Sequence, residues 1–477
     1  MHTIILGNGI IGMSIAFRLL KSSKPNDIIT IVGKKSRVCA ATFAAPAMLN
    51  SFAELEGGSL KSDIDLYRFE LSRLATKLWP AFEKEVNETA VIASNYKLSD
   101  IDTYESGTYI INNTAADDLD DENFDAIVEG LKKYKEPFSH LSPSDIPNYM
   151  PDQKNRAARA IYINSEGWVN PRLLMYKIEL VLESHPNVKF IDADVKNLNQ
   201  INSEVGSAVL DNGEHIIGDK FVLATGANST EVLNQSNFDV PIQRIFYGVG
   251  VSVEIKSPDY QHVKCIRTPN RGLACGLYTA PYKVAQNAPK DHIIIGASNF
   301  LSPVPYHHGR LTSVETIMRG AMEQINVNFY RADFVKVNIG WRPTSQDTYP
   351  LLGKTSLKNL IVATGTKREG FHLAPIISES IVSILLDKSI DERFLMFSPE
   401  RKVMRTLTRD EAISKSVRHQ MSAAYQHGFQ PSINRMPDQI KLMYKDALER
   451  LHDQVGAYDW GIPPEMLDMY RYGHAKV

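Results

Sequence analysis

Cysteine is scarce in this chain: Cys39, Cys265 and Cys275 are the three among 477 residues. They form no metal-ligand spacing and are too few for a disulfide framework, which excludes a small cystine-stapled fold. Long apolar runs are missing as well. No stretch approaches the ~20 apolar residues that span a bilayer. The apolar N-terminus has no basic stretch ahead of it and is broken by glycines, so a signal peptide is not expected. A cytoplasmic location is the expectation. Charge of one sign is also absent: the formal net charge of −2 gives no electrostatic ground for a nucleic-acid or membrane partner. No internal repeat and no low-complexity region stands out. What remains is ordinary, 43% hydrophobic and 23% charged, over a length that holds two or three domains.

The first thirty-odd residues carry the strongest pattern. Thr3 to Leu6 are apolar, and Gly7, Gly9 and Gly12 follow at G-x-G-x-x-G spacing. Ile10 to Ser22 read as a helix with Ile11, Ile15 and Leu19 on one face, and Ile28 to Val32 as a strand buried on both faces. A strand–turn–helix–strand unit of this length suits a dinucleotide. Gly7 permits the tight turn, Gly9 presents no Cβ to a pyrophosphate, and Gly12 lets helix and strand pack closely. The helix start offers unpaired N–H groups and a partial positive charge. The acid that usually ends the second strand is missing: Gly33, Lys34 and Lys35 stand there. Either another group holds the ribose or cofactor affinity is reduced.

Further along, Cys39 to Leu49 is a run of small residues that permits close backbone approach. An amphipathic helix through Tyr67, Leu71, Leu74 and Leu78 is expected to end near Pro80. Asp117 to Asp125 reads as a solvated loop or helix face. Asn170 and Pro171 open a helix as N-cap and first-turn residue. Phe221 to Ala227 and Leu360 to Gly365 are strands with small-residue tips that suit a cofactor. From Pro241 to about Asp333 the pattern is mainly β. Pro437 to Val455 reads as an amphipathic helix with Ile440, Met443, Tyr444, Ala447 and Leu451 on one side. His419, His427, His452 and His474 lack metal spacing, and no metal site is expected.

Taken together, Gly7-x-Gly9-x-x-Gly12, Ala44 to Leu49, Gly167-x-Val169-Asn170-Pro171-Arg172, Ala224 to Ala227, Gly340-Trp341-Arg342-Pro343 with Asp347 and Gly353, and Thr364-Gly365 with Arg368 and Gly370 occur in one order. In that order the chain resembles the D-amino-acid oxidase superfamily of FAD flavoproteins, glycine/sarcosine oxidase branch, over residues 1 to about 395. The resemblance implies an α/β protein. A Rossmann-like FAD-binding domain is built discontinuously from 1–90, 155–235 and 334–395. A mixed-sheet α+β substrate domain takes 91–154 and 236–333, and a C-terminal helical extension follows over 396–477.

The resemblance also implies roles. Non-covalent FAD is expected against Gly7, Gly9, Ile10, Ile11, Gly12, Thr42, Ala44, Ala45, Met48, Val195, Ala224, Thr225, Gly226, Arg342, Arg368, Gly370, Phe371, His372 and Leu373. Arg342 would grip a substrate carboxylate, Tyr278 would hydrogen-bond it, and Arg368 would stand near the flavin's reactive edge. The partner is then a small-molecule amine or amino acid, oxidised by hydride transfer to the flavin. Structural alternatives stay open: Arg342 paired with Asp347, Tyr278 as strand packing, Arg368 in a surface ion pair. So do 2-hydroxy-acid oxidation and a subunit-type flavoprotein that needs a partner. Departures at Gly33, Ala47, Ile245, Thr366, Lys367 and Glu369 bear on the substrate. The extension is expected to pack across the body or at an interface between copies, with a specialised partner or a substrate lid as the readings left open.

Overall fold

The computed structural model describes residues 1–98, 103–282, 291–431 and 434–477. Its first sheet has six strands, ordered Leu351–Lys354, Leu360–Thr364, Lys220–Leu223, His2–Leu6, Ile28–Val32 and Val188–Ile191. All pair in parallel except the edge strand Leu351–Lys354. Side chains alternate across a strand, so Ile5 faces the helices while Ile4 and Leu6 face away. On the first side Ile5, Ile29, Ile31 and Val222 pack with the helices Ile10–Ser22, Asp63–Ala93, Pro171–Glu183 and Ala374–Leu385. On the second, Ile4, Leu6, Phe221 and Val362 pack against Leu198, Val205 and Leu210 of a small antiparallel sheet.

The second sheet is mixed. Phe300–Ser302, Ile245–Lys256, His292–Gly296, Tyr278–Pro281, Cys265–Arg267, Tyr104–Asn112, Arg159–Val169 and Met48–Leu49 follow in order, with Asp333–Ser345 laid along Ile245–Lys256. The Cys265 strand runs parallel to the Tyr104 strand, and the other pairs are antiparallel. This sheet carries Tyr278 and Arg342.

Three expectations need correction. The helix expected to stop at Pro80 runs on to Ala93. An internal proline costs on the order of 3 kcal/mol. Trp79, Phe82 and Val86 flank it with at most 1% exposure, and each such burial is worth about 1.5–3 kcal/mol. Burial outweighs the break. The acidic stretch is not wholly solvated: Asp120 is fully buried and takes Arg271 through two contacts of 2.8 and 2.9 Å. Finally, the helix Met436–Val455 buries Leu448, Leu451 and His452, whereas Met443 is 67% exposed. The chain turns at Gly456 and folds Ala457, Trp460 and Ile462 onto that face. His452 Nε2 accepts from the Ile462 amide at 3.0 Å, a buried polar contact that apolar periodicity does not reveal.

His262 is buried under this second sheet, its Nδ1 2.9 Å from Thr279 Oγ1. Burial pushes its pKa down to about 4. The unfolded chain therefore binds a proton below about pH 6.5 that the folded chain refuses until about pH 4. Stability should fall across that window as pH drops, by up to about 3 kcal/mol. Thermal melts at pH 7 and near pH 4 should show this loss, and it should shrink in His262→Gln.

Candidate functional site

The site begins at the glycine turn. Gly7 sits at φ +121° with its amide on Val32 O at 2.8 Å, and a Cβ there would lie 2.2 Å from Ala224 O. A Cβ on Gly12 would lie 2.0 Å from Gly7 O. These two glycines are imposed by the protein itself. Gly9 differs: its added Cβ would meet only Thr42 Oγ1, at 3.3 Å. Gly9 also N-caps the helix Ile10–Ser22 with no side-chain cap. Thr42 Oγ1 accepts from the Ile10 amide at 3.0 Å. The turn opens on a cavity of about 540 Å³.

That cavity collects most residues named from the sequence. Gly7, Gly9, Ile10, Ile11, Thr42, Ala44, Ala45, Met48, Val195, Ala224, Thr225, Gly226, Tyr278, Arg342, Arg368, Gly370 and Phe371 line it. Gly12, His372 and Leu373 lie outside its walls. Gly12 packs beneath the turn, and Leu373 belongs to the helical core. His372 points to the long helix, with Nε2 2.7 Å from Ser72 O.

The lack of a side chain at Gly33 has a cause in the fold. A Cβ there would lie 2.4 Å from Asn8 Cγ, and Asn8 Nδ2 donates to Lys34 O at 3.0 Å. The Asn8 side chain thus fills the place of the missing acid. Lys34 is held by Asp211 at 2.7 Å, and Asp194, its carboxyl raised by burial, lines the cavity beside Val195. Sequence reasoning missed Asn8 and Asp194 because neither contact is local in the chain.

At the other end of the cavity Arg342 is pre-aimed. Its Nη1 donates to Ser298 O and Asn299 Oδ1, both at 3.0 Å. Gly250 leaves the room it needs, since a Cβ there would lie 2.4 Å from Arg342 Cζ. Asp347 is taken by Arg401 at 3.0 Å, so it does not pair with Arg342. Tyr278 is buried, and burial holds its phenol well above the usual range against the pull of Arg342. It is a neutral hydrogen-bond donor at every physiological pH. Arg267, also missed, stands in the same wall at 3% exposure and pairs with Glu54 at 2.5 Å.

Glu166 organises the loop behind them. It is fully buried and accepts from Asn50 Nδ2 at 2.9 Å and from the amides of Ser51, Phe52 and Ala53. Burial pushes its pKa up to about 7, opposed by those donors. Glu166→Gln turns an acceptor into a donor facing N–H groups. The expected cost is about 1–3 kcal/mol, read as a lowered melting temperature.

A second chamber of about 600 Å³ lies between the body and the C-terminal segment, and Glu54, Lys367 and Arg368 line both spaces. His419 lines it with both ring nitrogens unpartnered, and burial pushes its pKa down to about 4.

The sequence model of the FAD dependent oxidoreductase family matches residues 2–384. The chain belongs to that family. The D-amino acid dehydrogenase of Vibrio atlanticus is 25% identical over 207 residues, 43% of this chain and 46% of that protein. The bifunctional protein ThiO/ThiG of Trichormus variabilis is 21% identical over 457 residues, 95% of this chain and 62% of that one. The chain thus spans about half the length of the Vibrio relative it matches. Glycine oxidase from Bacillus cereus superposes with a TM-score of 0.67 at 22% identity, covering 84% of this chain and 99% of that one. That likeness is one of fold. As a member of an FAD-dependent family, the protein has in its glycine turn, in the helix amides beyond the one Thr42 takes, and in its long cavity a donor set that fits a diphosphate-bearing flavin dinucleotide. Among the described residues, no helix is long and apolar enough to cross a membrane, and no cluster of three His, Cys, Asp or Glu is placed for a metal.

Proposed function

We propose that the protein oxidises an amine, an amino acid or an N-substituted glycine, using FAD held without a covalent bond. The observation that carries this reading is one cavity shared by the glycine turn, Arg342 and Tyr278. Gly7 would make the turn, Gly9 and the helix amides after Ile10 would hold the diphosphate, and Ala44, Ala45, Met48 and Thr225 would flank the ring system. Bound FAD supplies a two-electron acceptor for the hydride on the carbon next to nitrogen, the amine leaving as an imine that water hydrolyses. Arg342 grips the substrate carboxylate with the guanidinium donors that Ser298 and Asn299 leave over. Tyr278, kept protonated by burial, donates to the same carboxylate. Together they fix the reacting carbon, so orientation rather than acid–base chemistry is the protein's contribution.

Relatives named D-amino acid dehydrogenase and glycine oxidase support an amine substrate. The division into 1–90, 155–235 and 334–395 for cofactor and 91–154 with 236–333 for substrate belongs to this reading. So does the cytoplasm, which its three unpaired cysteines fit. Anaerobic titration of the yellow protein with amino acids, amines and 2-hydroxy acids tests it. Bleaching of the flavin by amino acids is expected. Bleaching by 2-hydroxy acids alone, or by nothing in the panel, would overturn it.

A further inference from the structure

The neck between the two cavities has a charge imbalance. Its acids are each claimed at short range: Glu54 by Arg267 at 2.5 Å, Glu56 by Lys415 at 2.6 Å, Glu465 by Lys367 at 2.6 Å and Glu369 by Arg68 at 2.9 Å. Arg368 is left over. Its nearest partners are Asn270 Oδ1 at 3.3 Å and Glu54 Oε2 at 4.0 Å. Its side chain is 23% exposed, and it lines both spaces. A guanidinium has five donors in a fork that matches a carboxylate or another oxyanion, and here most of that fork is unspent.

The chamber beyond is lined by charges of both signs, and two of its basic residues keep donors unspent. His419 contributes two ring nitrogens without hydrogen-bond partners, the nearer 3.9 Å from Glu56. Arg405 lies 4.1 Å over the Trp460 ring and has no carboxylate within ion-pair distance among the described residues. Of the wall's other acids, Asp347 pairs with Arg401, Glu411 with Lys61 and Glu122 with Arg418, while Asp65 accepts from Tyr349 and Asp410 is exposed at the rim, neither of these two in an ion pair among the described residues. A buried polar group without a partner costs free energy that a hydrogen-bonding partner, a water or a ligand group, restores. The chamber's volume lies in the range that holds whole ligands. Its far wall, including His419, Trp460 and Glu465, comes from residues beyond the family match at 384.

We propose that the substrate carries a second anionic group on an arm that passes Arg368 into the chamber closed by the C-terminal segment, where Arg368, His419 and Arg405 receive it. This rests on the reading of Arg342 and Tyr278 as the site of the reacting amino acid. The C-terminal segment is then part of the substrate site, and the substrate class is an acidic N-substituted or long-chain amino acid rather than glycine itself.

The test uses the wild-type holoprotein and three N-substituted glycines of equal arm length ending in methyl, carboxylate or ammonium, with anaerobic flavin bleaching as readout. The carboxylate arm should bind about tenfold tighter than the methyl arm, with the ammonium arm weakest. Bleaching by all three with equal or reversed affinities overturns the second anion and leaves the amine reading standing. If none bleaches the flavin, N-substituted glycines are excluded as substrates and the amine reading is decided by the wider amino-acid panel. Calorimetry with a dicarboxylic and a monocarboxylic acid of matched length then decides the inference, a tighter diacid supporting it and equal binding overturning it. His419→Gln and the surface variant Arg405→Gln should each lower the carboxylate-to-methyl ratio about threefold or more, with melting temperatures within ~3 °C of wild type. An unchanged ratio in the variants that fold overturns the placement of the arm in the chamber.

Discussion

Arg342→Ala should lower kcat/KM for a carboxylate-bearing amine by about 30- to several-thousandfold, the equivalent of about 2–5 kcal/mol for losing one partner of a desolvated charge pair. The size follows from how the side chain is held. Nη1 is already committed to Ser298 O and Asn299 Oδ1, so the guanidinium reaches substrate oriented, at little further entropic cost. Gly250 exists to let it lie there. Arg342→Lys keeps the charge but not the fork, and should recover only part of the loss. Steady-state kinetics should show the same variant nearly neutral toward an amine that has no carboxylate. Unchanged amino-acid turnover in Arg342→Ala would refute the clamp.

The glycine turn gives the second large effect, and its two halves separate. Gly12→Ala places a Cβ 2.0 Å from Gly7 O, a backbone atom. The strand and helix must move apart, and a loss of about 3 kcal/mol or more is expected, seen as poor expression and an early melt. Gly9→Val meets no backbone, since an added Cβ there touches only Thr42 Oγ1 at 3.3 Å. The variant should fold, yet its side chain would stand where the diphosphate has to approach. Flavin content per chain should fall below about a tenth of wild type while the melt of the flavin-free protein is retained. A Gly9→Val protein that keeps its full flavin content would place the cofactor elsewhere.

How far the sequence carries depends on whether the cause of a feature is local. The turn was legible because strand, glycine spacing and helix sit within one short stretch, and the helix Ile10–Ser22 and strand Ile28–Val32 fall where periodicity puts them. Pro80 misleads because local propensity marks a stop, whereas the burial of Trp79 and Phe82 that overrides it is tertiary. Gly33 reads as a defect until Asn8, brought alongside by the fold, is seen to occupy its space. Arg267 and Glu54 lie far apart in sequence and meet only across the cavity wall. The C-terminal chamber was invisible for the same reason. Its walls come from opposite parts of the chain, and the buried face of Met436–Val455 is chosen by the segment that folds back on it.

The most direct measurement is the identity of whatever leaves the purified protein on acid denaturation. FAD should appear in the supernatant at about one per chain, with a colourless pellet, as a dinucleotide cradled by the glycine turn without a covalent bond requires. Colour retained in the pellet, a nicotinamide dinucleotide in its place, or no flavin from a protein that takes up none on reconstitution would contradict it.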